Sequence, residues 1–392
     1  MAHNIPNVTN LLEKMVEIDT VNEVTSGKPF PEQALLDLLA DIAQEWGFNT
    51  TKLPIPTRLH PDSYNLLITH ETAPYAPWLM FESHADTVGV DGMSIPPFTP
   101  KIKDGRIYGR GVCDTKGSGA AILWALHQYA KQTSQPNNIA ILFVTDEEIG
   151  KTGAKAFISE QLPELSWRPE AIIVGEPTEL RQVVAHNGVI RWKIRTTGVA
   201  AHSSKPSNGR SAISAMAKLI IGFEEGYCAA LNATHPLTGA AACSINTITG
   251  GVAVNIIPDL CEVELDRRVL PGENSAKVLE EIAGALNTIA ERNGEISFEM
   301  LEPFVDPALD PTVNEKITAI FSKIRAASGL SGAPEGAGYG TDASTYSEAG
   351  IPAIVFGPGS VTQAHTEDEW LELDQLTRSV EVFRALMESD LR

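Results

Sequence analysis

Acidic residues and histidines follow short apolar runs at several places in this 392-residue chain. Trp78–Phe81 leads into Glu82-Ser83-His84-Ala85-Asp86, and Ile139–Val144 into Thr145-Asp146-Glu147-Glu148. Ala171–Val174 leads into Gly175-Glu176-Pro177-Thr178, and Ala353–Phe356 into Gly357-Pro358-Gly359, with His365 shortly after. A fifth segment, Gly109–Gly117, carries Asp114 just ahead of a small, apolar stretch. Any one alone reads as a solvated turn, but five together read as a site. Carboxylate oxygen and imidazole nitrogen are the ligands of divalent metals of hard to borderline character. His84, Asp114, Glu148, Glu176 and His365 suffice for two sites if one carboxylate bridges. Two metals about 3.5–4 Å apart clamp a scissile carbonyl and an attacking water. Asp86, two residues beyond His84, is placed to hold the other imidazole nitrogen. Glu147 points away from its neighbour Glu148 and can serve as general base on the water.

For these residues to meet, the apolar runs must be parallel strands with their carboxyl ends on one edge, where open α/β sheets bind ligands. Asn65–Thr69 is a further run of strand length. A first helix is predicted over Asn10–Ile18 with Thr9 as cap. A second starts with Pro31 at its first position, carries Leu35, Leu36, Leu38, Leu39, Ile42 and Trp46, and stops at Gly47. Gly117–Ala130 is apolar nearly all round and reads as a buried helix. Strands alternating with helices predict an α/β, mostly parallel sheet covered on both faces.

The pattern changes after Ala185. Strand Val189–Thr197, a helix near Arg210–Glu225, strands Cys243–Thr249 and Leu260–Val269, helix Ser275–Arg292 and strand Glu295–Leu301 follow in turn. That order is βαββαβ, the ferredoxin-like unit. It predicts an inserted domain over 186–303, between catalytic segments 1–185 and 304–392. After it come a helix Val313–Ser328 ended by Gly329, a Gly/Ala/Pro-rich loop Gly329–Gly340 and a last helix Leu376–Met387.

Composition narrows the function classes. Hydrophobic residues make up 43% and charged residues 20%, as in an ordinary globular protein. Fifty acidic against thirty basic residues give a net charge of −20, which argues against nucleic acid and anionic lipid as partners and favours solubility. The four cysteines form no CxxC pair and are too few and scattered for a disulfide framework. No run approaches the ~18 apolar residues of a membrane span, and the start Met-Ala-His-Asn-Ile-Pro has no basic region and no apolar stretch of signal-peptide length. The expectation is a reduced, cytoplasmic protein with no membrane partner.

His84-Ala85-Asp86, the segment ending Cys113-Asp114-Thr115-Lys116-Gly117, Asp146-Glu147-Glu148 and Gly175-Glu176-Pro177-Thr178 resemble the signatures of the M20 metallopeptidase and amidohydrolase family. So do Ala201-His202-Ser203-Ser204 and Gln363-Ala364-His365-Thr366-Glu367-Asp368-Glu369, and the likeness runs through the chain in order. The resemblance implies a two-zinc hydrolase, cobalt being the alternative metal, with an inserted lid or dimerisation domain. It places Asp114 as the bridge, His84 and Glu176 on one metal, Glu148 and His365 on the other, and Glu147 as base. Glu176-Pro177-Thr178 resembles the acetylornithine deacetylase and succinyl-diaminopimelate desuccinylase branch, as do Ala185-His186-Asn187-Gly188 and Gly357-Pro358-Gly359-Ser360. Asn187 departs from that branch, where Lys is common.

Three further residues are candidates, two of them with two readings each. His202 is either a helix-capping residue or, as the resemblance implies, an oxyanion donor, supplied by the partner subunit in dimeric members. Arg268 falls on the polar phase of Leu260–Val269, where an Arg fork suits a carboxylate or forms a surface ion pair. Asn255 resembles a substrate-contacting residue of the desuccinylases. The expected activity is hydrolysis of the amide bond of a small N-acyl amino acid such as N-acetylornithine, by a homodimer joined through the inserted domain. The alternatives are a desuccinylase, an aminoacylase, a carboxypeptidase-like dipeptidase, or a silent metal-binding protein on the same scaffold. The last would tolerate loss of Glu147, which is present.

Overall fold

Apolar runs too short for helices become the strands of an eight-stranded sheet. The computed structural model describes residues 3–55, 60–294 and 296–391. In chain order the strands used below are β1 (Asn49–Pro54), β2 (Tyr64–His70), β3 (Trp78–His84), β4 (Asn138–Val144), β5 (Pro169–Val174) and β6 (Val183–His186). Then come β7 (Gly188–Thr197), β8 (Ala242–Gly250), β9 (Leu260–Val269), β10 (Phe298–Met300), β11 (Glu335–Ala337) and β12 (Ala353–Val355). The large sheet has the order β1-β2-β4-β3-β5-β12-β6-β11. Its central four strands are mutually parallel, with Trp78 beside Asn138, Leu79 beside Ala171 and Ala353 beside Ile172. β1, β2 and β6 pair antiparallel, so the sheet is mixed at its margins and parallel where the acids emerge.

Helices pack on this sheet through apolar stripes. α1 (Val8–Val16) buries Leu11, Leu12 and Met15, α2 (Gln33–Glu45) buries Leu35, Leu36, Leu39 and Ile42, and α3 (Lys116–Tyr129) is enclosed almost throughout. Small residues let α3 approach. A Cβ on Gly117 would lie 2.3 Å from the Val112 carbonyl oxygen, and one on Gly357 would lie 2.4 Å from Ser118 Oγ. The cap of α1 is Asn7, whose side chain accepts the Asn10 N–H, so Thr9 is inside the helix rather than capping it. Pro31 lies in the turn before α2, which begins at Gln33. β11 falls within the segment expected to be loop, and the last helix begins earlier than expected, at Leu373.

A second unit spans Ala185–Asp310 with Gly336–Gly340; the first comprises 1–184, 311–335 and 341–392. In the second unit, α4 (Ala212–Phe223) and α5 (Ser275–Arg292) cover one face of a sheet ordered β8-β9-β7-β10, all antiparallel. That order and the βαββαβ sequence are the ferredoxin-like arrangement. The expected boundary at 303 moves to 310, because Phe304–Asp306 adds to β7 opposite Arg191–Val189. The strand expected over Glu295–Leu301 is shorter, and Glu295 lies outside the described residues. Among the described residues, no helix is long and apolar enough to cross a membrane.

Candidate metal centre

Parallel pairing carries the sequence-predicted residues to one edge. His84 closes β3 opposite Val144, the last residue of β4, and Val174 closes β5 opposite Glu82 and Val355. Asp146-Glu147-Glu148 and Glu176 therefore emerge beside His84, Asp114 stands just ahead of α3, and His365 follows β12. β3 continues three residues beyond Phe81, so Glu82 and His84 share one face of the strand.

The distances group these side chains around one carboxylate. Asp114 Oδ1 is 3.0 Å from His84 Nε2, and Asp114 Oδ2 is 3.3 Å from His365 Nε2. Glu176 Oε1 lies 3.9 Å from His84 Nε2, and Glu148 Oε2 lies 3.1 Å from His365 Nε2. Ligand atoms of His84, Asp114 and Glu148 all fall within 4.8 Å of one another. Each Asp114 oxygen thus faces a different imidazole, and each imidazole has its own second carboxylate. The His84 ring donates from Nδ1 to the Asp86 main-chain carbonyl at 3.0 Å, which leaves Nε2 directed inward.

The Asp86 carboxylate stands 3.6 Å from His84 Nδ1, on the side of the ring expected of it. It also accepts the main-chain N–H of Glu147 at 3.1 Å and of Glu148 at 3.2 Å, which the sequence reading did not foresee.

The donor set suits divalent cations. Burial pushes Glu176 well above the usual carboxylate range, and His84 only partly offsets it. Burial, with Asp114 adding to it, raises Glu148 to about 7. Burial opposes the His84 imidazolium, yet the hydrogen bond with Asp114 and the nearby Asp86 carboxylate hold its pKa well above ordinary. His365 is raised to about 10 by its hydrogen bonds with Asp114 and Glu148. Crowded, buried carboxylates lack compensating charge, and a dication supplies it.

Two contributors escaped the sequence reading. Glu369 is fully buried; its Oε2 meets Arg110 at 2.6 Å and the Gly111 N–H at 3.0 Å. Its Oε1 accepts the N–H groups of Cys113 at 2.8 Å and Asp114 at 3.1 Å, so it shapes the loop that presents Asp114. In the sequence it closes the Gln363–Glu369 segment that carries the family resemblance, but no role fell to it there. The other is Lys151, buried beside Glu147.

The remaining candidates lie in the second unit. His202 is exposed, with Nδ1 2.8 Å from Ser204 Oγ. Ala201–His202 pairs with Ile256–Ile257, and the Ser203 N–H donates to the Asn255 carbonyl at 3.0 Å, so His202 and Asn255 are brought together. Arg268 Nε is 2.8 Å from Asp266 Oδ1, the surface ion pair of the two readings.

Residues 80–389 match the family described as Peptidase family M20/M25/M40. The chain belongs to that family. An acetylornithine deacetylase of Klebsiella pneumoniae (strain 342) is 30% identical to this M20 chain over 399 residues, covering 99% of it and 97% of the relative. An M20 family metallo-carboxypeptidase of Sulfolobus solfataricus has the same fold, with a TM-score of 0.79 at 16% identity over 98% of this chain and 99% of that one. A dinuclear metal-binding M20 peptidase of Bacillus subtilis superposes with a TM-score of 0.70 at 17% identity, covering 97% of this chain and 96% of that one. As an M20 member, the chain is a metal-dependent hydrolase of amide bonds.

Proposed function

We propose that this M20 hydrolase removes a small acyl group from an N-acyl amino acid, N-acetylornithine first among them, using two zinc ions. The observation that carries this reading is Asp114 with one oxygen toward His84 and the other toward His365. In this reading Asp114 would serve both ions, His84 and Glu176 would hold one, and Glu148 and His365 would hold the other. Bound there, the ions would supply Lewis acidity to the scissile carbonyl and acidify the attacking water. Glu147 takes the proton of that water and later delivers it to the departing amine nitrogen, so the base is regenerated. Asp86 keeps Glu147 and Glu148 in register through their main-chain N–H groups. His202 donates a hydrogen bond to the developing oxyanion, from its own chain or a partner's, and Asn255 beside it contacts substrate. Arg268 would bind a substrate carboxylate only by leaving Asp266.

Strand β8 is an edge of its sheet, and Ile248, Val252 and Val254 nearby are exposed, which supports a homodimer through this unit. The four free thiols fit a reducing, cytoplasmic setting. The decisive experiment is a panel of N-acetyl-L-ornithine, N-succinyl-L,L-diaminopimelate and dipeptides, offered to zinc-loaded and cobalt-loaded protein. Fastest turnover of N-acetyl-L-ornithine is expected. Preference for the succinyl compound or a dipeptide moves the assignment to that substrate class.

A further inference from the structure

Lys151 follows the acidic turn at Glu148-Ile149-Gly150, and nothing in its sequence setting marks it. Its side chain is enclosed, with the residue 6% exposed. Its Nζ donates to the Thr341 carbonyl at 2.7 Å and stands 3.9 Å from Glu147 Oε1. The turn is closed around it: the Lys151 N–H donates to the Asp146 carbonyl at 2.7 Å, and the Thr152 hydroxyl bonds to the Asp146 carboxylate. Asp146 and Lys151 have φ of 64° and 55°, a left-handed region that residues other than glycine seldom occupy. The turn that presents Glu147 is therefore the one that returns the ammonium to it.

We propose that Lys151 is the positioning residue of Glu147: anchored on Thr341, its ammonium holds the Glu147 carboxylate by charge without taking it as a hydrogen-bond partner. The inference rests on reading Glu147 as the base. A separation of 3.9 Å is beyond hydrogen-bond length but well within charge attraction, and the enclosed setting limits screening. Both Glu147 oxygens thus stay available to accept a proton.

The test compares Lys151→Met, Glu147→Gln and the double variant, each zinc-loaded, for N-acetyl-L-ornithine turnover and for zinc affinity by chelator competition. Lys151→Met is expected to lower kcat by about 10- to 100-fold, the usual range for a residue supporting a metal site. KM and zinc affinity should stay near wild type. Added to Glu147→Gln, it should cost nothing further, because its effect passes through Glu147. Lys151→Cys, unfolded, alkylated with 2-bromoethylamine and refolded with zinc, should regain turnover. The same variant alkylated with 2-bromoethanol should not, and wild type treated identically controls for the native thiols. This pair also decides the matter if Lys151→Met fails to fold. Wild-type turnover in Lys151→Met, an equal fall on the Glu147→Gln background, or equal recovery with the neutral reagent would overturn the inference. Full turnover in Glu147→Gln would instead remove the base assignment on which it rests.

Discussion

At the strand ends of the first unit, His84, Asp86, Glu176 and Glu369 are buried and tied to main chain or to one another before anything binds. In the second unit, His202 stands exposed on a two-residue strand and Asn255 just before its partner strand, and among the described residues the His202 ring bonds to the neighbouring Ser204 alone. Both regions hold a histidine among polar residues. The first has its geometry set by the sheet, so loss of a supporting contact should weaken metal affinity or turnover even without a substrate change. The second has little holding its side chains, so its contribution should appear only where substrate or the transition state engages it.

The sharpest probe of the first region is Glu147→Gln, expected to retain zinc and lose about 10²–10⁴ in turnover, the range for general acid–base catalysis. Zinc content and kcat measured together decide it, and lost zinc would exchange the roles of Glu147 and Glu148. For the second region, His202→Ala should lose about 10²–10³ in kcat with KM little changed, the cost of one oxyanion donor. Mixing it with Glu147→Gln protein should restore some activity if the donor comes from a partner subunit. Unchanged kcat in His202→Ala would leave the second region without a catalytic part.

Smaller effects refine the contrast. Glu369→Gln should weaken zinc binding by about 10- to 100-fold, read by chelator competition, because the Asp114 loop loses its charged anchor. Zinc affinity should also rise with pH. Hydrogen bonds with Asp114 and Glu148 hold the His365 proton up to about 10, so the metal-free protein carries it at pH 7. A ligating imidazole must be neutral, so binding releases that proton, and affinity falls as pH falls. Calorimetry in buffers of different ionisation enthalpy should show the release; its absence would take His365 out of the ligand set. Least affected should be Arg268→Ala, where a half-buried pair with Asp266 at the surface is worth about 1 kcal/mol in thermal or denaturant unfolding.

Much of the first region was legible in the chain because it is locally encoded. An apolar run that ends in Ser83-His84-Ala85-Asp86 or Thr145-Asp146-Glu147-Glu148 is a strand followed by chemistry, and parallel strands deliver such ends to one edge. The βαββαβ order of the second unit was legible for the same reason, since its helices and strands have distinct periods. Element ends were less so: the Asn7 cap and the continuation of β3 to His84 depend on which side chain or neighbouring strand satisfies the main chain.

The types and order of the candidate ligands and of the proposed base were therefore legible in the sequence alone, because acid and imidazole chemistry is a property of the residues themselves. Only the tertiary structure decided that each Asp114 oxygen faces a different histidine, that the Asp86 carboxylate serves the Glu147 turn, and that Glu369 and Lys151 belong to the site. Glu369 meets Asp114 across 255 residues, and Lys151 meets Thr341 across 190. Contacts at such separations leave no local pattern. Their burial, not their identity, sets an ordinary acid and an ordinary lysine beside the candidate site.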